Sequence, residues 1–424
     1  MKLDRRALLG ALGLSVAAGV AGAQEASPPA TAPPAQPSLT DRITQRAMEN
    51  RHRLAFDGTR FSGPAYDMLL QEGRAAQYFC IGEEHGIAEN PKLAAQLFSD
   101  LRFDKACVEI SPPMAAELDR AARSGVDGLR QLFSNPGAQV AFFGMREEAE
   151  WLAAVRAARP GRSQAIWGLD YEVGGDRRII QLLKAKRKPA AAATALAALE
   201  TASDESWAQW AATRSPQYIF SFSGDPALVA AVRAAWPGAD DDVRWMLDTR
   251  EETLAINRHW VQGQGWQSNQ RRAAFNRANL RRYWAAEGDR PAKVMFKFGA
   301  SHMVRGLSHT QVLDIGTQIS ERAEAIGPKS FHLAVFPGVG AQLAQFDPSA
   351  WAYRAADAGT YEDAGMAPLM AAADPAAFTL IDLRPLRPLV FGARHKALDA
   401  DLVRTIHGFD ALLVLTGSTA SANL

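Results

Sequence analysis

The chain has 424 residues, 47% of them hydrophobic and 22% charged, a composition that supports a sizeable buried core and excludes a disordered chain, a coiled coil or a collagen-like repeat. Lys plus Arg (47) almost balances Asp plus Glu (46), and a net charge of +1 argues against a protein that binds nucleic acid by neutralising phosphates. Two cysteines supply neither a disulfide scaffold nor a four-cysteine zinc site.

Residues 1–23 read as an export signal. Arg5-Arg6 precedes an apolar run over residues 7–20, which ends at Ala21-Gly22-Ala23, a small-x-small cleavage pattern. The adjacent arginines point to the twin-arginine route. The run is too short to span a membrane, and no later stretch is long and apolar enough. Cleavage would remove Lys2, Arg5, Arg6 and Asp4, taking the net charge from +1 to −1. The expected location is periplasmic or secreted, with no integral membrane segment left after cleavage. Residues 24–38 are rich in Pro, Ala and Ser and read as a linker. One α/β domain of catalytic type is expected over residues 39–424.

Four short apolar runs bounded by turn chemistry read as buried strands: 77–82, 105–110, 164–169 and 293–298. An amphipathic helix over 89–101 separates the first two, and Pro112-Pro113 stops the second. That spacing predicts strand–helix–strand units and a mainly parallel central sheet flanked by helices. Further strands are expected at 331–336, 378–383 and 411–415. A helical block, roughly 176–286, lies between the third and fourth strands and is expected to act as a cap. It holds Trp207, Trp210, Trp236, Trp245, Trp260, Trp266 and Trp284, which read mainly as packing residues.

The chemistry gathers where these strands end. The first runs into Gly82-Glu83-Glu84-His85-Gly86, the second carries Glu109, the third runs into Asp170-Tyr171-Glu172 and the fourth into Gly299-Ala300-Ser301-His302. The C-terminal edge of an open parallel sheet is where ligands bind, so these residues are expected to share one pocket. His85 is placed as a general base, since imidazole titrates near neutral pH. Residues two apart in extended chain face the same way. Glu83 should therefore back His85, with Glu84 on the other side. The pair Glu83–His85 can also hold a divalent metal. His302 is a second base, an acid or a ligand. Arg305 is either an anion contact or a surface residue, and His309 is expected on the following helix in a structural role. Cys80 and Cys107 fall in predicted core strands and read as buried thiols. The sequence contains no G-x-S-x-G elbow, no H-E-x-x-H and no phosphate-binding P-loop.

The run Ile81 to Gly86, Glu109 at the next strand's end, the helix Arg250-x-x-x-Leu-Ala-x-Asn257 and Gly299-Ala300-Ser301-His302 resemble the erythromycin esterase, ChaN and Tiki superfamily. The Arg250–Asn257 helix is most similar to the esterase branch, with Leu254 where that branch has Met. Gly299 stands where the esterases' His-Asn-x-His has its first His. Glu83-Glu84-His85 is closer to the Gly-Glu-x-His of ChaN-like proteins. The resemblance spans roughly residues 75–315. It implies a parallel-sheet core and a pocket lined by two histidines and acids. It implies a secreted hydrolase of a small-molecule ester, lactone or amide. His85 would activate water, Glu83 would orient it, Glu109 and Asp170 would hold the water or the second histidine, and His302 would protonate the leaving group. That reading requires no cofactor. The alternatives implied are a periplasmic haem- or metal-binding ChaN-like protein, with Glu83, His85 and His302 as ligands, and a Tiki-like metallopeptidase.

Overall fold

The computed structural model describes residues 37–134, 139–140, 142–288, 291–359 and 365–424. The export signal and nearly all of the linker expected from the sequence lie outside these residues. Residues Leu39–Leu424 pack as one unit.

Alternation of apolar side chains builds the centre of the molecule. Strands β1 (Arg51–Phe56), β2 (Phe61–Ser62), β3 (Ala76–Glu83), β4 (Lys105–Val108), β5 (Ile166–Gly168), β6 (Val294–Gly299), β7 (Lys329–Pro337), β10 (Phe378–Asp382) and β11 (Ala411–Leu415) form one sheet. Its order is β2-β1-β10-β11-β7-β3-β6-β4-β5. From β11 to β5 every neighbouring pair is parallel, and β10, β1 and β2 add an antiparallel flank. The fold is thus α/β with a mainly parallel sheet. Side chains on a strand point alternately to opposite faces, and two cores result. Phe79, Ile81, Val108, Met295, Leu333 and Leu413 pack on one face, and Cys80, Cys107, Phe296, Phe298, Ala334 and Leu412 on the other.

A separate hairpin, β8 (Gln342–Asp347) with β9 (Ala352–Asp357), lies outside this sheet. The hairpin and the strands β1 and β2 were not anticipated from the sequence. Arg51-His-Arg-Leu-Ala-Phe56 has too little apolar content to stand out. Strand β4 ends one residue before Glu109, because the Ile110 N–H turns back onto the Val108 carbonyl. Pro112-Pro113 then opens the helix Pro112–Ala121. Proline fits there because the first-turn N–H groups have no intrahelical partner.

The helical block forms as expected, with Asp176–Ala185, Ala190–Thr213, Pro226–Ala235, Asp241–Val261 and Gly265–Glu287 as its main helices. Trp207 and Trp236 are buried in it, whereas Trp260 and Trp266 are exposed. No helix among the described residues is long and apolar enough to cross a membrane.

Candidate active site

Parallel strands put their carboxyl ends on one edge, and that edge carries the charged cluster. Glu83 ends β3 and is paired in register with Gly299, the last residue of β6. Glu109 follows β4, and Asp170 lies two residues beyond β5. His302 lies in a single helical turn, Ala300–Met303, directly after β6. His85 sits in a turn whose next residue, Gly86, has φ +86°. A Cβ at Gly86 would lie 2.4 Å from the Ala344 carbonyl oxygen, so both backbone and space require glycine there.

These residues line one cavity of about 590 Å³. Around its centre, Glu109 joins the two histidines. His85 Nε2 lies 3.2 Å from Glu109 Oε2, and His302 Nε2 lies 3.4 Å from Oε1. Each imidazole is backed on its other nitrogen by a second carboxylate. His85 Nδ1 is 3.0 Å from Glu83 Oε1, and His302 Nδ1 is 2.7 Å from Asp314 Oδ2. Phe142 stacks on the His85 ring at 4.1 Å.

Four further charged groups complete the network. Lys297 is 4% exposed and donates to Glu83 Oε1 and Glu148 Oε1, both at 2.6 Å. It lies two residues before Gly299 on β6, hence on the same face. Arg272, from the helix Gly265–Glu287, donates from Nη2 to Glu109 Oε1 at 2.6 Å and from Nε to Asp170 Oδ1 at 2.9 Å. Its Nη2 also contacts Asp170 Oδ2. Among the described residues its Nη1 makes no hydrogen bond, and Arg272 lines the cavity. The Gly299 N–H donates to Glu109 Oε2 at 2.7 Å.

The electrostatics follow from this packing. Burial disfavours the charged imidazolium of His85, but Glu109 and Glu83 outweigh it and hold its pKa up at about 10. Burial and Arg272 oppose charge on His302, yet Asp314 and Glu109 hold it at about 10 as well. Glu109 is kept well below the usual carboxylate range: burial would raise it, but both histidines lower it. Glu148 is raised to about 7 by burial, against the pull of Lys297. At neutral pH the two imidazoles are therefore both cations.

The structure brings Glu83, His85, Glu109 and His302 into contact. Asp170 also lines the cavity, but it grips Arg272 and reaches neither histidine. Glu84, expected to face away, lines the cavity too. His309 is in a turn, not on the following helix, which starts at Ile315. It lines the cavity with Ser301, whose Oγ is 3.1 Å from His309 Nε2. Arg305 pairs with Asp410 away from the cavity. Of the helical block expected as a cap, Arg272 alone among the described residues lines the cavity, and Asp401, Arg404, Thr405 and Phe409 line it as well. Cys80 and Cys107 are buried free thiols. Arg272, Lys297, Glu148 and Asp314 were not identified from the sequence.

For the ligand set Glu83, His85 and His302, the donor chemistry is already engaged. All four ring nitrogens face carboxylates, and among the described residues no three His, Cys, Asp or Glu side chains are arranged to hold a metal ion. A cation or a haem iron does not fit this arrangement without breaking those contacts.

No family model matches the sequence, and no curated protein matches it. Solved structures do match. A protein from Bacillus cereus aligns at TM-score 0.56 and 14% identity, over 92% of this chain and 100% of its own. A succinoglycan biosynthesis protein aligns at TM-score 0.57 and 14% identity, with the same coverage of 92% and 100%. A histidine-to-asparagine variant of erythromycin esterase EreC, in its open conformation, aligns at TM-score 0.52 and 16% identity, over 84% of this chain and 94% of its own. The resemblance carried by the strand-end motifs is thus matched in three dimensions at the level of fold.

Proposed function

We propose that this protein is a hydrolase that cleaves a small-molecule ester, lactone or amide by direct attack of water. The observation that carries the proposal is the pair of imidazoles converging on one carboxylate, Glu109, beside a cavity of about 590 Å³. Two histidines with separately backed nitrogens can divide the work of base and acid. His85, once deprotonated at Nε2, takes a proton from water while Glu83 fixes the tautomer through Nδ1. The resulting hydroxide oxygen bonds to the carbonyl carbon. His302, protonated and braced by Asp314, gives its proton to the leaving oxygen or nitrogen as that bond breaks. Arg272, anchored through Nε and Nη2, has Nη1 left to hold the negative oxygen that develops. Asp170 is then a positioning residue acting through Arg272. The similarity in fold to an erythromycin esterase supports the reaction class and leaves the substrate open. With the export segment read at residues 1–23, the reaction would take place in the periplasm or outside the cell.

The test is a screen of esters, lactones and amides with the wild type, His85→Ala and His302→Ala. The wild type should turn over at least one class. Either variant should lose about 10²–10⁴-fold in kcat with an unchanged circular dichroism spectrum. A His85→Ala protein that hydrolyses at the wild-type rate would overturn the mechanism.

A further inference from the structure

The helix Ala400–Gly408 belongs to the part of the chain where no motif stands out, yet one of its faces lines the cavity. Asp401, Arg404 and Thr405 stand at i, i+3 and i+4, the spacing that puts side chains on one helix face, and all three line it. Arg404 is fixed twice: its Nε donates to the Leu307 carbonyl at 2.9 Å, and its Nη1 donates to Asp401 Oδ1. Among the described residues its Nη2 makes no hydrogen bond. Two residues beyond Leu307 is His309, also in the cavity wall, and Ser301 Oγ lies 3.1 Å from its Nε2. Burial, Arg404 and His302 hold His309 below the usual imidazole range, so at neutral pH it is uncharged, with one donor and one acceptor nitrogen. Ser301 immediately precedes His302 on the turn Ala300–Met303. The cluster thus sits beside the acid of the proposed mechanism, on the side where the leaving group departs.

The chemistry of this wall selects among leaving groups. Asp401 and Arg404 cancel in charge, so an ionic group gains little there. An alkyl group would bury the guanidinium and the hydroxyls of Ser301 and Thr405 without replacing their hydrogen bonds to water, a cost of about 1–3 kcal/mol for each group left unsatisfied. A hydroxyl both donates and accepts, and a row of hydroxyls meets a wall that alternates donors and acceptors. Val304, Phe336, Met366 and Phe409 line the same cavity and offer apolar surface to the C–H faces between such hydroxyls. We propose that Asp401, Arg404, Thr405, Ser301 and His309 form a subsite for a polyol, and that the substrate is an ester whose alcohol half is a sugar or similar polyhydroxylated group. The inference rests on the hydrolase reading above and narrows it. Water adds its oxygen to the acyl carbon and gives a proton to His85. The bond from that carbon to the sugar oxygen breaks, and the oxygen takes the proton of His302. The products are a carboxylic acid and the free polyol, with one water consumed.

The test compares two acetate esters, an acetylated methyl glucoside and hexyl acetate, with wild type, Arg404→Leu and Thr405→Val. Wild type should favour the sugar ester by at least about 100-fold in kcat/KM, since a site built to hydrogen-bond hydroxyls rejects an analogue that lacks them. Each variant should lower that preference by about tenfold or more, mainly through KM for the sugar ester. Damage to the fold would lower both activities together and leave the ratio unchanged, and Thr405→Val keeps the shape of the helix should Arg404→Leu disturb it. Equal turnover of the two esters by wild type, or a preference that neither variant alters, overturns the subsite and leaves the hydrolase reading standing. If wild type cleaves no ester, lactone or amide, the hydrolase reading fails, and saturation-transfer NMR with methyl glucoside decides the subsite by itself. A signal with wild type that Arg404→Leu abolishes supports a polyol site, and no signal with wild type overturns it.

Discussion

Lys297 is the residue on which the buried charge balance turns. Its ammonium is enclosed by Glu83, Glu148 and the Trp151 ring, 5.3 Å away. Glu83 Oε2 and Glu148 Oε2 are buried without any other partner among the described residues. Removing the ammonium leaves two carboxylates facing each other in a dry site. Lys297→Met should therefore destabilise the fold by about 3–5 kcal/mol, the cost of breaking a buried pair from one side. Urea unfolding of the variant measures it. Lys297→Met with Glu148→Met should recover much of the loss, since it removes one of the stranded charges. At this scale the sequence was half legible. Glu83, His85, Glu109 and His302 stood out because each follows an apolar run and cannot be core filler. Arg272 did not, since it is one of five arginines on the helix Gly265–Glu287 and nothing local marks it. Asp314 reads as an ordinary helix cap, which it also is, accepting from the Ile315 N–H. Lys297 was a missed signal: a lone lysine inside Val294-Met-Phe-Lys-Phe298 has nowhere to go but the interior.

The element that holds the His85 turn is the segment Gly417–Leu424, which had no motif to identify it. The Gly86 carbonyl accepts from the Ser421 N–H at 2.8 Å and from the Ala344 N–H at 2.9 Å. The Ala88 N–H donates to the Thr419 carbonyl, the Arg146 N–H donates to the Ala422 carbonyl, and the Ala422 N–H donates to Glu147 Oε2, at the start of the helix that carries Glu148. This strap ties together the turn of His85 and the helix of Glu148, elements 60 residues apart in the chain. Ser421→Pro deletes one main-chain donor to Gly86. It should cost about 1–3 kcal/mol, the penalty for an unmade bond to a buried group. Amide exchange at Ala88 should quicken while that of β3 and β7 holds, and an unchanged rate at Ala88 would show that the strap does not fix the turn. The strands that position the site were legible because buried parallel strands are continuous apolar runs. The strap, the β8–β9 hairpin and β1 were not, because their hydrogen bonds are main-chain and their sequences are mixed. Gln342-Leu-Ala-Gln-Phe-Asp347 pairs through its backbone, and only Ala344 of its six residues is buried.

For the molecule as a whole, the site sets stability and activity against each other along the pH axis. His85 and His302 have pKa values raised to about 10 from 6.5, so between these limits the folded protein holds protons that the unfolded chain has lost. The stability they contribute is complete below about pH 6.5 and is lost as pH rises through 10. Glu148 is raised from 4.5 to about 7, and stability falls with rising pH across that interval too. Asp410 is the opposite case. Arg305 helps hold its pKa down at about 2, against burial, and the stability it adds above pH 3.8 is lost as pH falls through 2. Thermal unfolding should therefore give the highest Tm at about pH 4–6, with a steady decline on the alkaline side. Catalysis should run the other way. The base must be neutral, and at pH 7 roughly one His85 in a thousand is, given a pKa near 10. kcat/KM should rise about tenfold per pH unit through the neutral range, then level and fall near pH 10 as His302 loses the proton it must donate. Glu109→Gln removes the charge that most raises His85, so its ascending limb should move toward lower pH, even with a reduced maximum rate. A wild-type profile that instead plateaus above pH 7 would mean that His85 is neutral in the working complex. The carboxylates around it would then serve to orient the ring and not to raise its basicity.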